Sequence, residues 1–244
     1  MAFAVLAWAG LPLVKTGGLS ALLIAHAIYM AVFALWLGMR LRALDTPPDT
    51  RSFSLGSVLR EHLVIYSSPR VSAPGLGWLF YTFCFVSVLT VLPPYIPDGT
   101  RALVMGAMPL TSIGASMTIG VVLLRFMPAV GVVLVGFAGS ALCMLWLWVE
   151  PGGALACIAL AGCMGLIQGA SFAAVPQLND APASQAQANG AMAQMGNVGN
   201  TLGTPVMAIT TGAIGYAGLT LLAGLAFVIG GVVHLWLAAR RRSV

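Results

Sequence analysis

Residues 76–96 read LGWLFYTFCFVSVLTVLPPYI, a stretch that contains no charged side chain. About 20 consecutive apolar residues are enough for a helix to cross a bilayer. An upstream run at 18–39 and a shorter one at 2–14 are also apolar, and five further stretches of this kind follow, at residues 102–124, 127–149, 152–175, 184–213 and 216–239. The sequence therefore predicts an all-α membrane helix bundle with about eight transmembrane helices.

The composition excludes most soluble classes of protein. Hydrophobic residues make up 59% of the chain and charged residues 7%, and the mean hydropathy is +0.97. A soluble domain of 244 residues needs more polar surface than this chain can supply. The lipid bilayer is thus the expected partner, and nucleic acid is not, because the basic residues lie in loops rather than in one stripe.

The cysteines indicate no metal site, cofactor or redox motif. All four fall inside predicted helices, without a CxxC pair and without a histidine at ligand spacing. They are best interpreted as small buried hydrophobic residues. We predict no cofactor.

Lysine and arginine predict the orientation. Two of the 11 basic residues, Lys15 and Arg101, fall on one side of the predicted membrane. The other nine fall on the opposite side, which we expect to be cytoplasmic together with the C-terminus. These nine are Arg40, Arg42, Arg51, Arg60, Arg70, Arg125, Arg240, Arg241 and Arg242.

Polarity divides the chain into three segments. Residues 1–39 hold two predicted helices, the first of them incomplete, and residues 76–244 hold a bundle of six. Residues 40–75 form the single long polar loop, where Pro47 and Pro48 indicate a turn-rich linker. Within it, the apolar residues recur at helical spacing and predict a short amphipathic helix at the membrane surface, ended by Pro69. These apolar residues are Leu55, Val58, Leu59, Leu63 and Tyr66.

Polar residues concentrate in the predicted span 184–213. Asn197, Asn200, Thr201 and Thr204 share one helical face. Glycines on the adjoining face should allow a neighbouring helix to approach closely; these are Gly196, Gly199 and Gly203. An amide is costly against lipid, so we expect this stripe to face the bundle or a wet cavity. Two interpretations stay open: one wall of a substrate path, or hydrogen bonding that holds helices together.

Two further residues are candidates for substrate contact. Gln168 is the strongly polar residue in the middle of its predicted span. Tyr81 shares a face with Phe85 and could stack on an organic substrate or pack in the core. The candidate binding residues are therefore Gln168, Asn197, Asn200, Thr201 and Tyr81. No acidic residue lies in a predicted span, so no carboxylate for proton coupling is predicted.

The order of elements resembles the major facilitator superfamily of secondary transporters. Residues 59–70 (LREHLVIYSSPR) running into residues 75–81 (GLGWLFY) resemble the lead into the seventh helix of that family. Residues 165–171 (GLIQGAS) resemble its tenth helix, and residues 189–201 (NGAMAQMGNVGNT) resemble its eleventh, with the glycine and asparagine content of many bacterial members. The loop LRFMP at 124–128 keeps one arginine and lacks the aspartate of the family's loop signature.

The resemblance implies a fold and a function. The chain would supply the last two helices of an N-terminal half, a central cytoplasmic linker and the whole C-terminal half. We expect a secondary active transporter of a small organic solute, such as a drug-like or amphiphilic compound, in the bacterial inner membrane. Missing N-terminal helices or a second chain would complete the path.

Two alternatives belong to other classes. A non-transporting membrane scaffold or truncated remnant would also form a stable bundle. An intramembrane hydrolase would need Ser171 and His234 within about 3 Å of each other, and no Gly-x-Ser-x-Gly motif is present. We therefore do not predict an enzyme.

Overall fold

The computed structural model describes residues 11–42 and 54–242 of the chain, and these form eight α-helices without a strand. Most of these helices coincide with the apolar runs of the sequence, and one coincides with the amphipathic run. In chain order the helices α1 to α8 are Leu11–Arg42, Leu55–Ser67, Ser72–Val91, Asp98–Leu123, Ala129–Val149, Ala154–Leu178, Pro182–Ile214 and Tyr216–Arg242.

The chain divides into two compact units, Met1–Ser54 and Leu55–Val244. In the first unit, α1 is broken at Gly18, whose backbone angles (φ 69°, ψ −178°) are open to glycine and not to other residues. The predicted short span 2–14 lies mostly outside the described residues, and its last residues belong to α1. In the second unit, the predicted amphipathic linker helix is confirmed as α2, which belongs with the bundle.

Six of the described helices are long and apolar enough to cross a membrane: α1 from Gly17, α3, α4, α5, α6 and α8. The protein is therefore an integral membrane protein by the character of its helices. The prediction of about eight spans is confirmed only in part. The helix α7 covers the predicted seventh span but falls outside this group, because its 33 residues include six asparagines and glutamines.

The helix α7 nevertheless packs along most of the length of α3. It runs beside α3 from the level where Gly75 meets Ala191 to the level where Gly203 meets Phe83 and Ser87. Thirty-three residues extend about 50 Å, more than a bilayer needs. Since α3 is an apolar span, we infer that α7 crosses the same layer.

Helix ends differ from prediction where proline intervenes. The third helix ends at Val91 rather than at residue 96, because Pro93 and Pro94 have no N–H to donate and a 3-10 turn follows at Pro93–Tyr95. The helix α7 does not begin at the predicted residue 184. That helix begins two residues earlier, with Pro182 in its first turn, where a missing N–H costs nothing.

The bundle core lies where α3, α5, α6 and α8 meet, and its largest buried side chains include Phe137, Phe227 and Met164. Cysteines were expected to be small buried residues, and Cys84, Cys143 and Cys157 are buried while Cys163 is half-buried.

Candidate solute-binding face

Two glycine triplets with the same spacing control how closely the helices approach. In α7 the triplet is Gly196, Gly199 and Gly203, and a Cβ at Gly199 would collide with Thr82 and lie 2.6 Å from the carbonyl oxygen of Leu79. The predicted close approach along this glycine face is confirmed, and its partner is α3. Because α3 occupies the glycine face, the adjoining amide stripe is left on the outside of this contact.

A second triplet, at Gly162, Gly165 and Gly169 of α6, packs against α4. A Cβ at Gly165 would collide with the carbonyl oxygen of Ser112, and one at Gly169 with the hydroxyl of Ser116. Glycine spaced in this way lets helix backbones touch, which is a common basis of association in membranes.

The stripe residues Asn197, Asn200 and Thr201 are all exposed on the described chain. The structure thus places them at the surface of the bundle rather than between its helices, and only a wet cavity or a further partner would satisfy their amides. In the part of the chain that the structure describes, none of the three forms a side-chain hydrogen bond to another helix. The structure brings these three together on one face but does not pair them.

Tyr81 belongs to α3, and its side chain is buried, with 3% exposed. Its ring stacks on Phe85 at a centroid distance of 5.3 Å and lies 4.7 Å from Trp78. Tyr81 is therefore the buried member of an aromatic cluster with Trp78 and Phe85, and its ring is not exposed to a solute.

Trp78 is the residue that links the candidates, and the sequence analysis did not select it. Its ring contacts Phe172 of α6 edge-on at 5.0 Å, and a Cβ at Gly196 of α7 would lie 2.8 Å from its indole nitrogen. Phe172 is 53% exposed, and the half-buried Gln168 precedes it by one helical turn. Asn197 directly follows Gly196. An aromatic surface thus separates two amide positions that lie on different helices.

The signal for Trp78 was present in the sequence. Trp78, Tyr81 and Phe85 recur at intervals of three and four residues, the spacing of one helical face. What could not be predicted was that Phe172, on a helix far along the chain, would complete the cluster.

The other edge of α7 is apolar. Val198 and Leu202 line a cavity of about 270 Å³ with residues of α3 and α8, and its lining contains no polar surface. This edge suits lipid, so the two edges of α7 differ sharply in polarity.

The described residues offer neither a metal site nor a catalytic dyad. No group of three or more His, Cys, Asp or Glu that could hold a metal occurs among them. The hydroxyl of Ser171 and both ring nitrogens of His234 are buried without a hydrogen-bond partner, so the hydrolase dyad is not formed.

His234, considered above as the base of a hydrolase dyad, lies inside the bundle. The side chain is fully buried, with its ring 5.9 Å from that of Phe137 and its imidazole filling the space left by the absent side chain of Gly77. Its position on the face of Phe227 and Gly230, which are both buried, could have indicated this.

Comparison with known proteins adds no relative: no protein-family model, curated protein or solved structure matches this chain. The function is therefore inferred from the residues and their geometry.

Proposed function

We propose that this chain is part of a secondary active transporter for a small, uncharged organic solute, built on the plan of the major facilitator superfamily. The supporting observation is a symmetric packing of two sets of three helices, in which α3, α4 and α5 match α6, α7 and α8 in that order. Each contact between the sets has a counterpart when the matched helices are interchanged. The pairing of α3 with α7 corresponds to the pairing of α6 with α4. In the same way, α3 with α8 corresponds to α6 with α5.

This symmetric packing favours transport over a simple scaffold. Three crossings reverse the direction of the chain, so the second set would be inverted relative to the first, and inverted repeats are typical of secondary transporters. A scaffold has no need of this relation.

The chemistry of the face supports a solute with an aromatic or amphiphilic character. Trp78 and Phe172 offer ring faces, and Gln168 and Asn197 offer amides that can donate or accept hydrogen bonds at the edges. None of these side chains is charged. In this proposal the C-terminus is cytoplasmic, and further N-terminal helices or a second chain cover the face.

Cysteine accessibility tests whether the amide stripe lines a wet path. In a background with the four native cysteines replaced by serine, we expect Asn200→Cys to react with a membrane-impermeant maleimide. The matched control is Leu202→Cys on the apolar edge of the same helix, which we expect to stay unreactive. Equal, slow labelling of both positions would show that the stripe is dry and would contradict the proposal.

Uptake measurements test the binding role itself. Vesicles that contain the protein would be assayed with a panel of uncharged fluorescent aromatic compounds. Because an unpaired polar contact to a solute costs about 1–3 kcal/mol, Gln168→Ala should lower uptake by roughly tenfold without lowering the melting temperature. Unchanged uptake by Gln168→Ala and Asn197→Ala would remove these residues from the site.

A further inference from the structure

His234 of α8 is a buried ionisable side chain that the proposed solute path does not use. Its exposed fraction is 0%, and in the part of the chain that the structure describes neither Nδ1 nor Nε2 has a hydrogen-bond partner. A neutral imidazole carries one donor and one acceptor, and a buried polar group without partners costs free energy. A side chain kept in the core at that cost is a candidate for a role other than packing.

The imidazole lies in a niche between three helices. Its Nε2 faces Gly77 of α3, where an added Cβ would overlap the ring. The Phe137 ring of α5 lies 5.9 Å from the imidazole ring. One turn earlier in α8, a Cβ at Gly230 would lie 3.0 Å from Cβ of Phe80, so the α3 and α8 backbones are close here. Because Nε2 faces α3, this nitrogen meets water only when α8 moves away from α3.

The helices around His234 offer no counterion for an imidazolium. No acidic residue occurs in α3, α5 or α8, nor in α7, which also packs on α8. Arg241 lies two turns after His234 on the same face of α8, about 10 Å along the axis, and its positive charge opposes a second one. The ionisable side chains of these helices, with the one just before α3, are Arg70, Tyr81, Cys84, Cys143, Tyr216, Arg240, Arg241 and Arg242.

Contact between α3 and α8 therefore requires the neutral imidazole. A cation placed in an apolar niche without a counterion loses its hydration and gains no partner in exchange. An imidazole that reaches water, in contrast, takes up a proton below about pH 6.5. A proton bound only after the helices part shifts the equilibrium towards separation, by up to about tenfold for each pH unit.

We propose that His234 is a proton-sensitive lock between α8 and α3. The neutral ring fills the space beside Gly77 and allows the two helices to stay in contact. When the helices part, one ring nitrogen takes a proton from water, and the imidazolium no longer fits the niche. The lock acts on the α3–α8 contact whatever the bundle transports, so it does not depend on the proposed function.

Cys84 of α3 is a native reporter of this contact. Its side chain is buried, and its Sγ lies 3.8 Å from the carbonyl oxygen of Ala223 in α8. The parent chain for the experiment is the full chain with the other three cysteines replaced by serine. In detergent, N-ethylmaleimide should label Cys84 of this chain only when the two helices part. Each rate is divided by the rate of the H234Q variant at the same pH, which cancels the effect of pH on the thiol itself.

We expect the ratio of the parent rate to the H234Q rate to rise about tenfold from about pH 7.5 to about pH 5.5, because the separated state alone binds the proton. The matched control is H62Q, which removes the other histidine of the second unit. Its rate should rise relative to H234Q in the same way as the parent rate.

A ratio that does not change with pH would overturn the proposal, and so would a rise that H62Q abolishes. Should H234Q fail to fold, G77A takes its place, because the added methyl group displaces the ring from the niche. Cys84 of G77A should label faster than Cys84 of the parent at about pH 7.5, and the difference should shrink as the pH falls. A difference independent of pH would contradict the lock.

Discussion

At the scale of single residues, glycine decides where these helices touch. Gly199 has no side chain because the hydroxyl of Thr82 and the backbone of α3 occupy that space, whereas Gly190 of the same helix has nothing within 4 Å of its would-be Cβ. The sequence shows both glycines alike. Their energetic roles differ only because a neighbouring helix lies beside one of them.

A pair of alanine substitutions tests this difference. Gly199→Ala should destabilise the protein by about 1–3 kcal/mol, because the added methyl group forces α3 and α7 apart. Gly190→Ala should be neutral or slightly stabilising, since alanine restricts the unfolded chain more than glycine does. Melting temperatures in detergent measure both, and equal melting temperatures would show that α3 and α7 are not in close contact.

At the scale of elements, the amphipathic helix α2 contacts α7 through the amide of Gln194 and through Ile65, which packs against the cluster that contains Ala188 and Met192. The Tyr66 hydroxyl donates to Oε1 of Gln194 at 3.0 Å, and Nε2 of Gln194 lies 2.9 Å from Nε2 of His62. An amide nitrogen only donates, so neutral His62 accepts at Nε2. Tyrosine is protonated at neutral pH and can donate, and partial burial raises the pKa of Tyr66 further above its ordinary value.

Removal of this amide should loosen α2. We expect Gln194→Ala to speed backbone hydrogen exchange in residues 55–67 by roughly five- to thirtyfold, because two hydrogen bonds of about 0.5–1 kcal/mol each are lost. Asn200→Ala, on the same helix with no recorded bond to α2, is the control and should leave exchange there unchanged. Equal protection in both variants would mean that Gln194 does not hold α2.

At the scale of the whole molecule, the count of crossings fixes which loops share a side. Gly99 lies in the first turn of α4 and Phe126 lies just after its end, so one crossing of the membrane separates them. Both positions are open: Gly99 has nothing near its would-be Cβ, and Phe126 is 80% exposed. Basic residues lie mainly on the side of Phe126.

Labelling of intact cells tests this topology. In the cysteine-free background, Gly99→Cys should react with an impermeant maleimide from outside, and Phe126→Cys should react only after the membrane is permeabilised, because the basic side is expected inside. Labelling of both from the same side would contradict the crossing by α4, and the reversed pattern would contradict the orientation alone.

The sequence by itself determined that the chain is helical and membrane-embedded, because runs of residues without charge can satisfy their backbone only as helices in lipid. It also determined the amphipathic helix α2 and the glycine face of α7, since both follow from local periodicity. Six of the described helices are apolar enough to be spans, and α7 is not among them because its amides lower its hydropathy.

Only the tertiary structure decided which face of each helix is covered. Periodicity places residues on a face but does not say which neighbour meets it. For this reason Tyr81 and His234 proved buried, whereas Asn197 and Asn200 of α7 proved exposed. The cluster around Trp78 and the hydrogen bond from Arg241 to the carbonyl oxygen of Pro69 likewise join residues that are distant in the chain. Such contacts depend on how the helices pack, and no local pattern records that packing.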